Sequence, residues 1–129
     1  MKFDCKEISI SDESFGFTLT FSEKKYDHIA ESRKTIKELM HSSSEYLMIQ
    51  KTYAENEFET EYFYFETNDP DKSGQLNTFT INLSRHQFLM THDNELFEIN
   101  IKPKGKEFER IKEALKVLTA DKGKLLIHD

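Results

Sequence analysis

Phe15-Gly16-Phe17-Thr18-Leu19-Thr20-Phe21 alternates large apolar residues with small or polar ones over seven positions. A period of two with one apolar side is the pattern of a strand buried on a single face. The same alternation returns at Thr78 to Leu83, where Phe79, Ile81 and Leu83 interleave with Thr78, Thr80 and Asn82. Strands of this kind, joined by short polar connections, belong to an antiparallel sheet covered on one side.

Working outward, Phe3 and Cys5 are out of phase with Ile8 and Ile10, which predicts a first strand bulged at Lys6 and Glu7. Ser11 to Ser14 would then be the hairpin connection into the next strand. Ser22 stands as an N-cap before Tyr26, Ile29, Ala30, Ile36, Leu39 and Met40, whose spacing predicts a helix to about His41, stopped by Ser42 to Ser44. Further strands are expected at Tyr46 to Tyr53, Glu61 to Thr67, Gln87 to Thr91 and Leu96 to Lys102, the last two flanking a turn at His92-Asp93-Asn94. Ala54 to Thr60 is a polar connection, and Asn68 to Gly74 reads as a loop because Pro70 fixes φ and Gly74 permits positive φ.

From Lys106 to Ala120, Phe108, Ile111, Ala114, Leu115 and Leu118 form one apolar stripe at helical spacing. Gly123 occupies a C-cap position, and Leu125 to Ile127 form a short final strand or a strap across the core. The expectation is an α+β fold: one antiparallel sheet of about six or seven strands with two helices packed on one face. A length of 129 residues without a linker fits a single domain spanning residues 1–129.

Charge is distributed unevenly. Glu55, Glu57, Glu59, Glu61, Glu66, Asp69 and Asp71 fall in one stretch without Lys or Arg, around Tyr62-Phe63-Tyr64-Phe65. The rest of the chain, 17 acids against 18 bases, is nearly balanced, so the net charge of −6 resides in that stretch. Uncompensated carboxylates at alternate positions repel one another, and a basic partner relieves that repulsion. Tyr53, Tyr62 and Tyr64 add the aromatic, hydrogen-bonding contacts enriched in interfaces. The candidate partner-binding residues are Tyr53, Glu55, Glu57, Glu59, Glu61, Tyr62, Tyr64 and Glu66. A solvated edge that deters strand pairing is the competing reading.

Several classes are disfavoured. The pI near 5.4 argues against nucleic acid, because Lys102, Lys104, Lys106, Arg110 and Lys112 are interleaved with Glu107, Glu109 and Glu113. No stretch approaches the ~18 apolar residues of a membrane span, and the N-terminus has no apolar core of a signal peptide. With one cysteine and no oxidising requirement, cytoplasm is the expected address. Nucleophile-elbow, zinc-helix and glycine-rich phosphate motifs are absent. Cys5 reads as a small buried hydrophobe, and the five histidines read as surface or loop residues without metal-ligand spacing. Asp69 to Gly74 begins like a calcium loop, but its twelfth position is Thr80 and its flanks are strands, so a capped turn is favoured. No cofactor or metal is expected.

The order of Phe15-Gly16-Phe17, Tyr46-Leu47-Met48-Ile49-Gln50-Lys51, Tyr64-Phe65-Glu66-Thr67-Asn68-Asp69, Ser73-Gly74, the strand Thr78 to Leu83, Phe97-Glu98-Ile99-Asn100-Ile101 and the closing helix resembles the immunity proteins of bacterial polymorphic toxin systems, nearest to the family catalogued as immunity protein ten. That resemblance implies a non-enzymatic inhibitor that binds a cognate toxin, here through a basic contact face on the toxin, and transfers no catalytic residue. The alternative is a small acidic secretion chaperone that binds an unfolded effector segment.

Overall fold

The computed structural model describes residues 1–23, 45–56, 61–120 and 123–128. Within them lie strands β1 (Lys2–Asp4), β2 (Glu7–Asp12), β3 (Gly16–Ser22), β4 (Tyr46–Thr52), β5 (Tyr62–Thr67), β6 (Gly74–Leu76), β7 (Phe79–Ser84), β8 (Gln87–His92), β9 (Glu95–Asn100) and β10 (Gly123–His128). One α-helix, α1 (Glu107–Thr119), precedes β10.

The fold is α+β and mostly sheet, but the strands form two five-stranded sheets where a single sheet of six or seven was expected. Sheet I has the order β2-β3-β4-β5-β6 and is antiparallel throughout. Sheet II has the order β1-β9-β8-β7-β10 and is mixed, since β1 runs parallel to β9 and β10 parallel to β7. Alternation shows that a strand has one apolar face without showing what covers it. Here each sheet covers the other. Leu19, Phe21, Ile49 and Phe65 of sheet I share one buried cluster with Ile81, Phe88, Met90 and Phe97 of sheet II. Phe21 meets Phe88 with ring centroids 4.6 Å apart, and Phe65 meets Phe97 edge-on at 5.4 Å.

The phase change near the N-terminus is the point where the chain passes from sheet to sheet, not a bulge within one strand. Cys5 N–H donates to Asn100 O of sheet II, and Lys6 N–H donates to Ser22 O of sheet I, both at 2.8 Å. The hairpin that follows is tighter than Ser11 to Ser14. Glu13 and Gly16 exchange both backbone hydrogen bonds, at 2.9 and 3.2 Å, leaving Ser14 and Phe15 as its two-residue tip.

Ser22, expected as an N-cap, is the last residue of β3, in register with Glu7 and Tyr46. The helix expected from there to His41 otherwise lies outside the described residues, so one helix is present among them where two were expected. α1 buries Phe108, Ile111, Ala114, Leu115 and Leu118 as its stripe requires. Arg85 and Lys112 place their cationic groups 4.7 and 5.1 Å from the centroid of the Phe108 ring. Gly123 does not cap the helix. It starts β10, and a Cβ there would lie 2.6 Å from the Phe79 ring, so the absent side chain is what admits that ring.

Two smaller differences concern loops. The segment after β5 carries a 3-10 turn at Pro70–Lys72 and then β6, which pairs with β5 through Phe65↔Gly74 to Phe63↔Leu76. Asp93 and Asn94 have φ of 49° and 66°, the left-handed pair that a two-residue hairpin turn requires. His92, expected at the surface, is buried at the end of β8 with its ring edge-on to Phe65 at 5.4 Å.

Candidate functional site

In sheet I the residues of β5 with inward side chains are Phe63, Phe65 and Thr67, so Tyr62, Tyr64 and Glu66 lie together on the outward face. Register places Tyr62 opposite Thr52, Tyr64 opposite Gln50 and Glu66 opposite Met48. The outward residues are fixed by side-chain bonds between strands. Tyr64 O–H donates to Gln50 Oε1, and Tyr46 O–H reaches diagonally to donate to Glu66 Oε2 at 3.1 Å. The rings of Tyr62 and Tyr64 lie 6.1 Å apart, and Tyr62 remains 44% exposed.

Two tyrosines on this face hold their protons more firmly than usual. Burial, followed by the hydrogen bond to Glu66 and its charge, pushes the Tyr46 hydroxyl up to about 12. Burial, then the Glu66 and Tyr62 charges, also raises Tyr64. The unfolded chain releases the Tyr46 proton near pH 10, whereas the folded chain keeps it. This contribution to stability is therefore complete below pH 10 and is lost as pH climbs through about 12. In an alkaline ultraviolet titration, one tyrosine should titrate last, and Glu66→Gln should move that step toward the ordinary value. An unchanged last step in the variant would show that Glu66 does not set it.

The remaining candidate residues divide. Glu61 precedes the outward set by one residue and pairs with Lys51 Nζ at 3.1 Å. The Lys51 side chain, 14% exposed, lies on the inward parity of β4, with its ammonium 5.8 Å from the Phe63 ring centroid. Glu61 thus neutralises a half-buried cation of its own chain. Tyr53 O–H donates to Asp12 Oδ1 at 2.8 Å, and that bond, with some burial, raises its pKa. Its backbone N–H bonds Phe15 O at 2.9 Å, which places it by the β2–β3 hairpin. Glu55 is exposed in the connection after β4, while Glu57 and Glu59 lie outside the described residues.

The structure therefore brings together three of the eight candidate residues, Tyr62, Tyr64 and Glu66, and adds Tyr46 and Gln50. Alternation carried part of that signal, since Glu61 has the opposite parity to Tyr62. Tyr46 was missed because only pairing of β4 with β5 brings it to Glu66.

The Asp69 loop uses its oxygens internally. Asp69 Oδ1 accepts from Asp71 N–H at 3.0 Å, and Ser73 Oγ accepts from Thr67 N–H at 3.0 Å. Thr67 Oγ1 lies within bonding distance of Asp69 O and Lys72 O, at 2.9 and 3.0 Å. This is a capped turn built from short polar side chains. Among the described residues no group of three or more His, Cys, Asp or Glu is placed to hold a metal, and no helix is long and apolar enough to cross a membrane. Cys5 Sγ donates to Glu7 O at 3.1 Å, and burial pushes its thiol pKa up, which disfavours the thiolate a nucleophile requires.

A second surface was not visible in the sequence. Between β2 and α1 runs an open groove of about 850 Å³, with Ile8, Ile10, Phe17, Ala114 and Val117 among the residues along it. Comparison with family models, curated proteins and solved structures gives no match to this chain.

Proposed function

We propose that this chain is an immunity protein that binds and neutralises a cognate bacterial protein toxin in the cytoplasm, without catalysis, through the outward face of sheet I. The observation that carries the reading is the bonded set Tyr46–Glu66 and Tyr64–Gln50, with Tyr62 exposed beside it. Tyrosines held on paired strands offer amphipathic contact area whose ordering cost is already met in the free protein. Glu66, together with the acidic stretch before β5, favours a basic partner and speeds encounter.

Growth rescue tests this. Wild type, co-expressed with the toxic domain encoded immediately upstream of its gene, should restore growth. A Tyr62→Ala, Tyr64→Ala, Glu66→Lys variant should bind that domain at least about 100-fold more weakly, in line with truncation of interface tyrosines. A folded variant that rescues as well as wild type would remove this face from the proposal. The secretion-chaperone reading draws on the open, partly apolar groove beside β2. Binding to an unfolded effector, with none to a folded toxin, would favour that reading.

A further inference from the structure

Register carries the outward parity of Tyr62, Tyr64 and Glu66 across the whole of sheet I. Among the described residues that face contains no Lys or Arg. Its carboxylates there are Glu7, on the edge strand β2, and Glu66 on β5. Glu7 is already engaged, whereas no Lys, Arg or His among the described residues forms an ion pair with Glu66. Glu66 therefore holds its charge on an exposed position of the face without a counter-ion from its own chain.

The surroundings of that carboxylate suit a flat cation. Met48 lies directly across from Glu66 on β4, Tyr46 reaches it diagonally, and Tyr64 stands two residues along β5 on the same face. Tyr46 O–H donates to Oε2, and Oε1 accepts no hydrogen bond from the described residues. Tyr64 O–H is committed to Gln50 Oε1, so both hydroxyls are occupied while both rings remain only partly buried. The Glu66 charge contributes to the raised pKa of Tyr46 and of Tyr64, which puts both side chains in its field. An ammonium is a point charge with a firm hydration shell, whereas a guanidinium is planar, donates within its plane and stacks on ring faces. The guanidinium can thus satisfy a carboxylate oxygen while its plane lies on a ring. A neutral occupant would bury the Glu66 charge at the interface without a counter-ion, which is costly.

We infer that Glu66, Tyr46 and Tyr64 form a seat for an arginine side chain of the partner protein, whose guanidinium donates to Glu66 Oε1 and stacks on a tyrosine ring. The inference rests on the reading of this face as the docking surface, and adds which side chain the partner presents to it.

The test uses the full chain at low ionic strength, with the methylamides of N-acetylarginine, N-acetyllysine and N-acetylcitrulline as probes. Citrulline keeps the planar end without the charge. The ring signals of Tyr46 and Tyr64 and the methyl signal of Met48 are followed by nuclear magnetic resonance. The arginine probe should shift all of them saturably, with an affinity in the tens of millimolar, about what one exposed ion pair and one ring contact allow. The lysine probe should bind about threefold more weakly, and the citrulline probe should give no saturable shift. Glu66→Gln keeps an acceptor for Tyr46 O–H and should abolish the arginine response with the fold unchanged. Unchanged arginine binding by Glu66→Gln would overturn the inference, as would the lack of a saturable shift in the wild type. Equal binding of the lysine or the citrulline probe would overturn the guanidinium assignment. Growth rescue by the wild type without an arginine response removes this seat alone, whereas an arginine response without rescue removes the toxin reading alone.

Discussion

Phe88→Ala should cost about 3–5 kcal/mol of folding stability, the range for truncating a fully buried phenylalanine. Phe88 lies on β8, the middle strand of sheet II, and is 0% exposed. Its ring meets Phe21 of sheet I at 4.6 Å with the planes tilted by 40°, so the pair spans the interface between the sheets. Removing the ring takes away apolar area and leaves a cavity that neither ladder closes without breaking backbone bonds. Against a typical total of ~5–15 kcal/mol, this change brings the domain near the limit of folding at ambient temperature. Urea midpoints for Phe88→Ala, Phe21→Ala and the double variant should reveal a coupling of about 0.5–1.5 kcal/mol, as for other aromatic pairs. Phe15→Ala, at the exposed hairpin tip, should stay within about 0.5 kcal/mol of wild type. A cost below about 1 kcal/mol for Phe88→Ala would be incompatible with two sheets packed through this residue.

That packing was the part of the fold least legible in the sequence. Phe79, Ile81 and Leu83 alternate as cleanly as Leu19 and Phe21, and all of them are buried, yet a period of two is identical whether a helix or a second sheet covers the face. The N-terminal phase change was visible, but a bulge and a passage between sheets leave the same trace. β6 escaped notice because three residues with one apolar anchor, Leu76, carry no periodicity. α1 was legible nearly to its ends, since five apolar residues on one stripe do not fit a strand. The acidic segment divided for a local reason: Lys51, half-buried near the end of the central strand β4, takes Glu61 as its counter-ion. Sequence shows both charges but not that β4 and β5 place them 3.1 Å apart.

Gly16→Ala should destabilise the protein by about 1–3 kcal/mol, as overpacking does, and should also disturb the tyrosine face without altering any tyrosine. Gly16 opens β3 and lies in register with Thr52 of β4, on the outward side of sheet I. A Cβ there would stand 2.5 Å from Lys51 O and 3.0 Å from Gln50 Nε2. The first contact is with backbone, so relief requires β3 and β4 to separate where Tyr53 N–H bonds Phe15 O at 2.9 Å. The second is with the amide whose oxygen accepts from Tyr64 O–H. Near-ultraviolet dichroism of the tyrosines and the urea midpoint should therefore change together. Adding Gln50→Ala relieves only the side-chain contact, so it should recover little of the lost stability. Full recovery would show that the backbone oxygen is not the obstacle. If the sheet I face docks as a rigid surface, Gly16→Ala also weakens binding, because misplacing Tyr64 imposes a reordering cost that the wild-type ladder avoids. Undiminished binding alongside the predicted destabilisation would mean that the partner tolerates displacement of Tyr64 and engages mainly Tyr62 and Glu66.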